Sequence, residues 1–438
     1  MNTNISRRNF LAGSAFALAG LGLAGCSGSG SGSSDSSAAS GASGSVYYLN
    51  FKPEADQAWQ DLAKKYTDET GVEVKVVTAA SGTYEEKLKS EMAKSSAPTL
   101  FQVSGYVGLE NWKEYCADLS GSDVYGELTN LDLVLKDEGK VDAIGFVEED
   151  YGIVYNKALL TKAGYSASDI TSFAALKKVA DDIQARKDEL GVKGAFVSSG
   201  LDSSSSWRFT NHLANMPLWF EFQDDNVTNP DTIKGTSRPN YQDLVALYTT
   251  DSTVDKSQLS AKTSDDAVAE FVGGEAVFYQ TGSWDYKNIK ALGDDNLGLL
   301  PIYIGVGDEA KQGICAGTEN YWAVNADAAE EDQKATLDFL YWVVTSDEGT
   351  QMMAEQFGPI PFKNAKASEN VFFNAANELF AEGKYNVDWA FNYTPNVDSW
   401  RQGVVDALMA YSTAGGSWDD VVKAFVDGWA AEWEAQNG

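Results

Sequence analysis

The sequence predicts an α/β protein of two domains, each built on a mixed, mostly parallel sheet with helices on both faces. Three observations carry this. The body of the chain, roughly residues 45–438, is long enough for two domains and a substantial core. Its beginning alternates strand and helix patterns in a β-α-β-α-β order. A later stretch, Ala143 to Lys157, is extended in propensity, apolar at both ends and interrupted by Glu148, Glu149 and Asp150. A strand crossing from one domain to another would look like this, polar only where it spans the cleft.

Taken in order, the first segment is a leader. Arg7 and Arg8 form a basic start, and Leu11 to Ala24 contains only apolar and small residues plus Ser14. That run is too short for a bilayer core, which needs about 20 apolar residues. Residues 1–25 therefore read as an export signal removed from the mature chain. The paired arginines followed by Phe10 and Leu11 resemble a twin-arginine signal. Leu23-Ala24-Gly25-Cys26 resembles the bacterial lipobox, which implies cleavage before Cys26 and a diacylglyceryl group on its sulfur. Residues 26–44 then form a flexible Gly/Ser spacer, with a coil reach of roughly 25 Å.

In the body, Val46 to Phe51 reads as a buried strand. Pro53 suits a helix start, Ala55 to Tyr66 carries apolar residues at helical spacing, and Gly71 stops it. Val72 to Val77 is a second strand. Thr83, with Glu85 and Glu86 in the first turn, opens a helix that Pro98 ends, before a third strand at Leu100–Val103. Further on come a helix at Phe173–Ala185, a strand at Ala195–Val197, a Ser-rich loop at 203–206 and a helical region from Trp207 to Phe220. A helix at Ser264–Phe271 and strands at Gly274–Gln280, Leu297–Ile304 and Tyr321–Val324 follow. Gln333–Thr345, Val397–Tyr411 and Trp418–Trp433 read as helices.

Composition excludes whole classes of function. The formal net charge is −31, and loss of Arg7 and Arg8 with the leader makes it two units more negative. Such a surface repels phosphate backbones and anionic lipid, so no nucleic-acid partner is expected. The single histidine, His212, lies beside apolar residues and reads as structural. With one His there is no set of ligands for zinc, and a Ser or Cys triad would have to use His212. No metal, cofactor or catalytic group is expected. A carboxylate pair of a glycosidase needs no His, and the 64 acids leave that reading open. Cys116 and Cys315 are read either as a disulfide or as two buried thiols.

A ligand cleft fits the residues better. Sugars offer C–H faces to aromatic rings and hydroxyls to carboxylates, amides and guanidinium groups, and the charge-assisted bonds are the stronger ones. Mixtures of these groups stand at strand ends and loops: Glu148-Glu149-Asp150-Tyr151, Ser206-Trp207-Arg208, Gln280 to Asp285, and Gly317 to Trp322.

Over essentially its whole length the chain resembles the extracellular solute-binding proteins of carbohydrate ABC importers, the maltose-binding-like class. Glu149-Asp150-Tyr151-Gly152-Ile153-Val154-Tyr155-Asn156-Lys157 resembles that family's crossover strand, whose acid contacts sugar. Phe278 to Trp284 resembles the strand and loop with a stacking aromatic, Asn320 to Asn325 the returning strand, and Phe357-Gly358-Pro359-Ile360-Pro361 a later family segment. The resemblance implies a type II-like periplasmic-binding-protein fold of two lobes joined by about three crossings. The first lobe is expected at 45–148 and 302–350, the second at 149–301 and 351–438. It implies ligand contacts at Glu149 and Trp284, and a second stacking position at Trp400. Lys52, Glu54 and Tyr84 are first-lobe candidates, and Trp207, Arg208, Glu319, Asn320 and Trp322 complete the expected set. It further implies a non-enzymatic monomer, anchored outside the cytoplasmic membrane through Cys26, that passes a sugar to ABC permease subunits. A secreted glycosidase or a lipid-anchored glycan adhesin are the alternatives.

Overall fold

The computed structural model describes residues 44–413 and 415–437. The expected leader, Cys26 and the Gly/Ser spacer up to residue 43 lie outside them. Twelve strands follow in chain order: β1 (Val46–Asn50), β2 (Val74–Thr78), β3 (Leu100–Val103), β4 (Val134–Asp137), β5 (Lys140–Gly145), β6 (Glu149–Asn156), β7 (Gly194–Phe196), β8 (Ala276–Gly282), β9 (Leu297–Leu300), β10 (Gln312–Gly317), β11 (Tyr321–Val324) and β12 (Tyr385–Val387). They form two sheets. One has the order β2-β1-β3-β11-β5-β4, the other β12-β10-β6-β8-β7, with β9 also paired to β6. Each sheet is the centre of a lobe with helices packed on it.

The opening elements form for the reasons the sequence gives. β1 is buried along its whole length. The helix Asp56–Thr70 buries Trp59, Leu62, Ala63 and Tyr66, one helical face. It ends at Gly71, whose φ of 78° is left-handed and whose N–H bonds back to Thr67 O at 2.9 Å. The helix Tyr84–Met92 starts where expected, but not by the expected cap: the Thr83 hydroxyl donates to Ala80 O at 2.9 Å and does not accept from the helix.

Both sheets are mixed, and less parallel than expected. β1 pairs in parallel with β2 and β3, while β3–β11, β11–β5 and β5–β4 are antiparallel. In the second sheet β10–β12 and β7–β8 are parallel, and β6 is antiparallel to β8, β9 and β10. The cause is the crossing of the chain between lobes. β5 and β6 carry it out of the first sheet, and β10 and β11 carry it back, so each returning strand runs against the outgoing one beside it.

The crossings also sit later than the expected boundaries. Ile302, Tyr303, Ile304 and Cys315 belong to the second-lobe core, whereas Phe357, Ile360 and Phe362 pack in the first. The chain therefore returns at 318–320, not 302, and leaves again after Phe362, not at 351. Strand register decides this, because β10 pairs with β6 at Cys315↔Tyr151 before the chain turns back. Cys116 and Cys315 are free, buried thiols in different lobes.

Candidate ligand-binding cleft

A cleft of about 820 Å³ lies between the lobes. Its floor is the first crossing. Lys52, just after β1, sends its Nζ to both carboxylate oxygens of Glu149 on β6, at 2.9 and 2.8 Å. Asn320, at the second crossing, donates its Nδ2 to Glu149 Oε2 at 3.1 Å. Glu54 stands 3.5 Å from the same ammonium. Lys52 and Glu149 are 5% and 2% exposed, so the pair is desolvated. Burial alone would push the Lys52 ammonium down, but Glu149 and Glu54 outweigh it and hold the pKa above its ordinary value.

The second lobe supplies an aromatic wall. Trp284 follows β8 and meets Trp207 edge-to-face at 5.9 Å. The Lys52 ammonium lies 5.9 Å from the Trp284 ring centre. His212 stacks on Tyr151 at 4.0 Å and touches both tryptophans. Its Nδ1 is 2.9 Å from the Gln280 amide, and burial with the nearby Arg208 charge pushes its pKa well down, so the ring is neutral. Trp389 and Phe391 extend the wall. Several buried polar atoms of the second-lobe lining residues have no hydrogen-bond partner among the described residues: Asn211 Oδ1, Trp389 Nε1, Thr394 Oγ1 and Arg401 Nε.

From the first lobe come Tyr84, Glu85 and Trp112. The Tyr84 ring faces Phe51 edge-on at 5.3 Å, while its hydroxyl donates to Leu49 O and accepts from Gln102 N at 2.7 Å. Tyr84 therefore brings a ring to the cleft and a hydroxyl already used within its lobe. The Trp112 indole donates to Glu85 at 2.9 Å, yet burial pushes the Glu85 carboxyl up to about 7. Glu319 rises equally, to about 7, through burial, with Glu149 and Asp398 adding to it against the opposing pull of Lys52 and Arg401. One rim is narrow. A Cβ on Gly105 of the first lobe would stand 3.2 Å from Asn392 of the second, and Gln436 Nε2 reaches Val107 O at 3.2 Å.

The structure thus brings Lys52, Glu54, Tyr84, Glu149, Trp207, Trp284 and Glu319 to the cleft. Asn320 does not line it but orients Glu149 from behind. Three other expected contacts are corrected. Arg208 is 2% exposed and spends its donors inside the second lobe, on Gln280 O, Ser264 Oγ, Tyr279 Oη and Asp285. Its guanidinium lies 4.1 Å from the Trp207 ring centre, so it braces that ring. Trp322 is sandwiched in the first-lobe core, stacked on Phe146 at 4.2 Å, because its β11 position faces the helices and not the cleft. Trp400 is buried against Phe425 and Trp429, with its indole donating to Phe425 O at 2.9 Å.

The sequence reading missed His212, Asn211, Trp389, Phe391, Glu85, Asp398 and Arg401. The run Trp389-Ala390-Phe391-Asn392-Tyr393, aromatic and outside any periodic pattern, is the signal that could have found part of the wall. Asn211 and His212 lie on a π-helical turn, Arg208–Leu213, whose altered spacing hides which side chains share a face.

Comparison with known proteins bears on the fold. The family model described as bacterial extracellular solute-binding protein matches residues 61–381, well over half of the chain. No curated protein matches the sequence significantly. Among solved structures, the solute-binding protein RafE in complex with raffinose is 15% identical, with a TM-score of 0.70 over 90% of this chain and 100% of that one. A chitin oligosaccharide binding protein is 17% identical, with a TM-score of 0.72 over 91% of this chain and 100% of that one. A Bacillus licheniformis sugar transporter in complex with stachyose is 20% identical, with a TM-score of 0.65 over 89% of this chain and 100% of that one. At these identities the likeness establishes the shared two-lobed fold. The chain belongs to the bacterial extracellular solute-binding protein family.

Proposed function

We propose that this protein captures a sugar or oligosaccharide between its lobes and delivers it to an ABC permease, without chemical change to the ligand. The observation that carries the reading is the pairing of Trp284 and Trp207 with the Lys52–Glu149 ion pair in one cleft. Rings suit the C–H faces of a pyranose, and a charged pair suits its hydroxyls. The relatives solved with raffinose and stachyose support the same ligand class. Ligand selects the closed arrangement, and the lobes open again to release it.

Thermal melting across mono-, di- and oligosaccharides tests this. A ligand at 100 times its dissociation constant stabilises by about 2.7 kcal/mol. A carbohydrate panel that leaves the midpoint unmoved, while peptides or polyamines raise it, sinks the sugar assignment. Turnover of a glycoside by the purified protein would favour a hydrolase instead.

The anchor belongs to the same proposal. Lipid on Cys26 would tether the acidic body outside the cytoplasmic membrane, and the Gly/Ser segment would let it reach the permease. Among the described residues no helix is long and apolar enough to cross a membrane. Cys26→Ala should release the protein or block processing while ligand binding persists; a normally processed, membrane-bound variant refutes the anchor.

A further inference from the structure

We propose that His212 is a ligand contact: its Nε2–H donates to an uncharged oxygen of the bound saccharide and selects among sugars that the aromatic wall alone would grip alike. This rests on the sugar-binding reading and deepens it.

Backbone conformation brings His212 to the cleft. Trp207 and His212 are five positions apart, which in an α-helix would set them about 140° apart around the axis. The turn Arg208–Leu213 is π-helical, and its i→i+5 pattern returns the chain to the same side after the longer interval. The two rings therefore meet, edge to face, at 4.8 Å. Such turns are rare and recur at functional sites.

Packing then fixes the ring. Tyr151 covers one face at 4.0 Å, nearly parallel, and Trp284 closes in at 5.1 Å. The Gln280 amide, 2.9 Å from Nδ1, sets the rotation of the ring in its slot. The direction of that bond follows from what the amide leaves over. Gln280 Oε1 has no partner among the described residues. Turned over, the amide would put two N–H groups in that place with nothing to receive them, the costlier orphans. Gln280 Nε2 therefore donates and Nδ1 accepts, so the one proton of the neutral ring sits on Nε2. Burial and the Arg208 charge keep the ring neutral.

That proton has nowhere to go inside the protein. His212 is 5% exposed and lines the cleft. Its Nε2 makes no hydrogen bond among the described residues, yet it is not sealed in as Asn211 Oδ1 is. Closure around a ligand leaves this N–H bare unless the ligand supplies an oxygen, and a bare donor in a dry site costs free energy. Glu149 and Glu319 line the same cleft and disfavour an anion, so the acceptor is a hydroxyl, ring or glycosidic oxygen. Ring faces accept the C–H face of most pyranoses. A single directed N–H does not: a sugar whose oxygen is missing or turned away at that point leaves the donor unpaired.

His212 is the only histidine of the chain, so imidazole 15N spectra of the untagged protein report it alone. At pH 7 they should show one neutral tautomer with the proton on Nε2. Raffinose, stachyose, maltotriose and chitotriose are then added in turn. Each one that binds by calorimetry should shift the Nε2–H signal and slow its exchange with water. His212→Phe keeps a ring on Tyr151 and removes the donor. It should weaken those saccharides by at least about tenfold, with a ligand-free melting midpoint close to that of the parent. Gln280→Met should mix the two tautomers and weaken binding less. Three results would each overturn the proposal: a parent with the proton on Nδ1, saccharides that bind the parent and leave Nε2–H unmoved, or His212→Phe binding within about threefold of the parent. If that variant fails to fold, the Nε2–H response of the parent decides. Saccharide binding by the parent leaves the sugar reading standing in all three cases; a parent that binds no saccharide of the panel removes both.

Discussion

Lys52→Met tests how the cleft floor is held together. The substitution keeps most of the apolar stem and deletes the ammonium. Glu149, 2% exposed, is then left with one donor, the Asn320 amide at 3.1 Å, where it had two further bonds of 2.8 and 2.9 Å. Stripping one partner from a buried ion pair costs roughly 3–5 kcal/mol, mostly the desolvation of the charge left behind. Glu54 loses less, because it keeps contact with water at 30% side-chain exposure. Replacing both partners, as in Lys52→Met with Glu149→Gln, should recover most of the loss, because no bare charge remains. Urea unfolding followed by tryptophan fluorescence reads both variants against the parent. A loss below about 1 kcal/mol for Lys52→Met, or a double variant as unstable as the single one, would show that the pair does not hold the crossing in the way its geometry implies.

Three further outcomes follow from the same side chains. Trp284→Ala should weaken ligand binding by about 2 kcal/mol or more with little change in stability, whereas Trp322→Ala should cost roughly 3–5 kcal/mol of stability through the core; titration and melting separate them, and the reverse pattern would restore Trp322 as a contact. Arg208→Met should lower stability by roughly 3–5 kcal/mol, since it takes the cation from the buried Asp285, which keeps only the neutral donors of Tyr279, Thr281 and Asn288, and a variant of normal stability that binds nothing would make Arg208 a ligand contact after all. Glu85 and Glu319 rise from an ordinary 4.5 to about 7, so the folded protein retains protons that the unfolded chain releases. Ligand-free stability should therefore be fully present below about pH 4.5 for these groups and decline as pH rises toward 7. Glu319→Gln should flatten part of that slope in melting curves from pH 4.5 to 7.5; an unchanged slope would deny Glu319 its raised pKa.

What could be read from sequence divides along a physical line. Local signals were sufficient for the β-α-β-α-β opening, where Gly71 and the spacing of Trp59, Leu62, Ala63 and Tyr66 act within one element. Local signals marked the acids of β6 and the loop after β8 as strand-end mixtures, and the family resemblance singled out Glu149 and Trp284 among them; both line the cleft. Trp322 and Trp400 failed because a tryptophan beside a polar residue looks the same in a core as in a cleft; only the sheet face or the helix partner decides. Arg208 failed because its partners Ser264, Tyr279, Gln280 and Asp285 are more than fifty residues away in sequence. The lobe boundaries slipped because the membership of β10 is fixed by pairing to Tyr151, not by its own composition.

The placement of β11 has a consequence for the birth of the protein. It fills the gap between β3 and β5, so the first sheet lacks a middle strand until residue 324 exists. At about 5–20 residues per second, roughly a quarter of a minute to a minute separates synthesis of β1 from that of β11. For that interval two open edges face each other with nothing between them, a template for wrong pairing. The N-terminal lobe therefore cannot close before the chain has returned from its excursion into the second, and a chain cut anywhere before β11 should yield aggregate, not a soluble half.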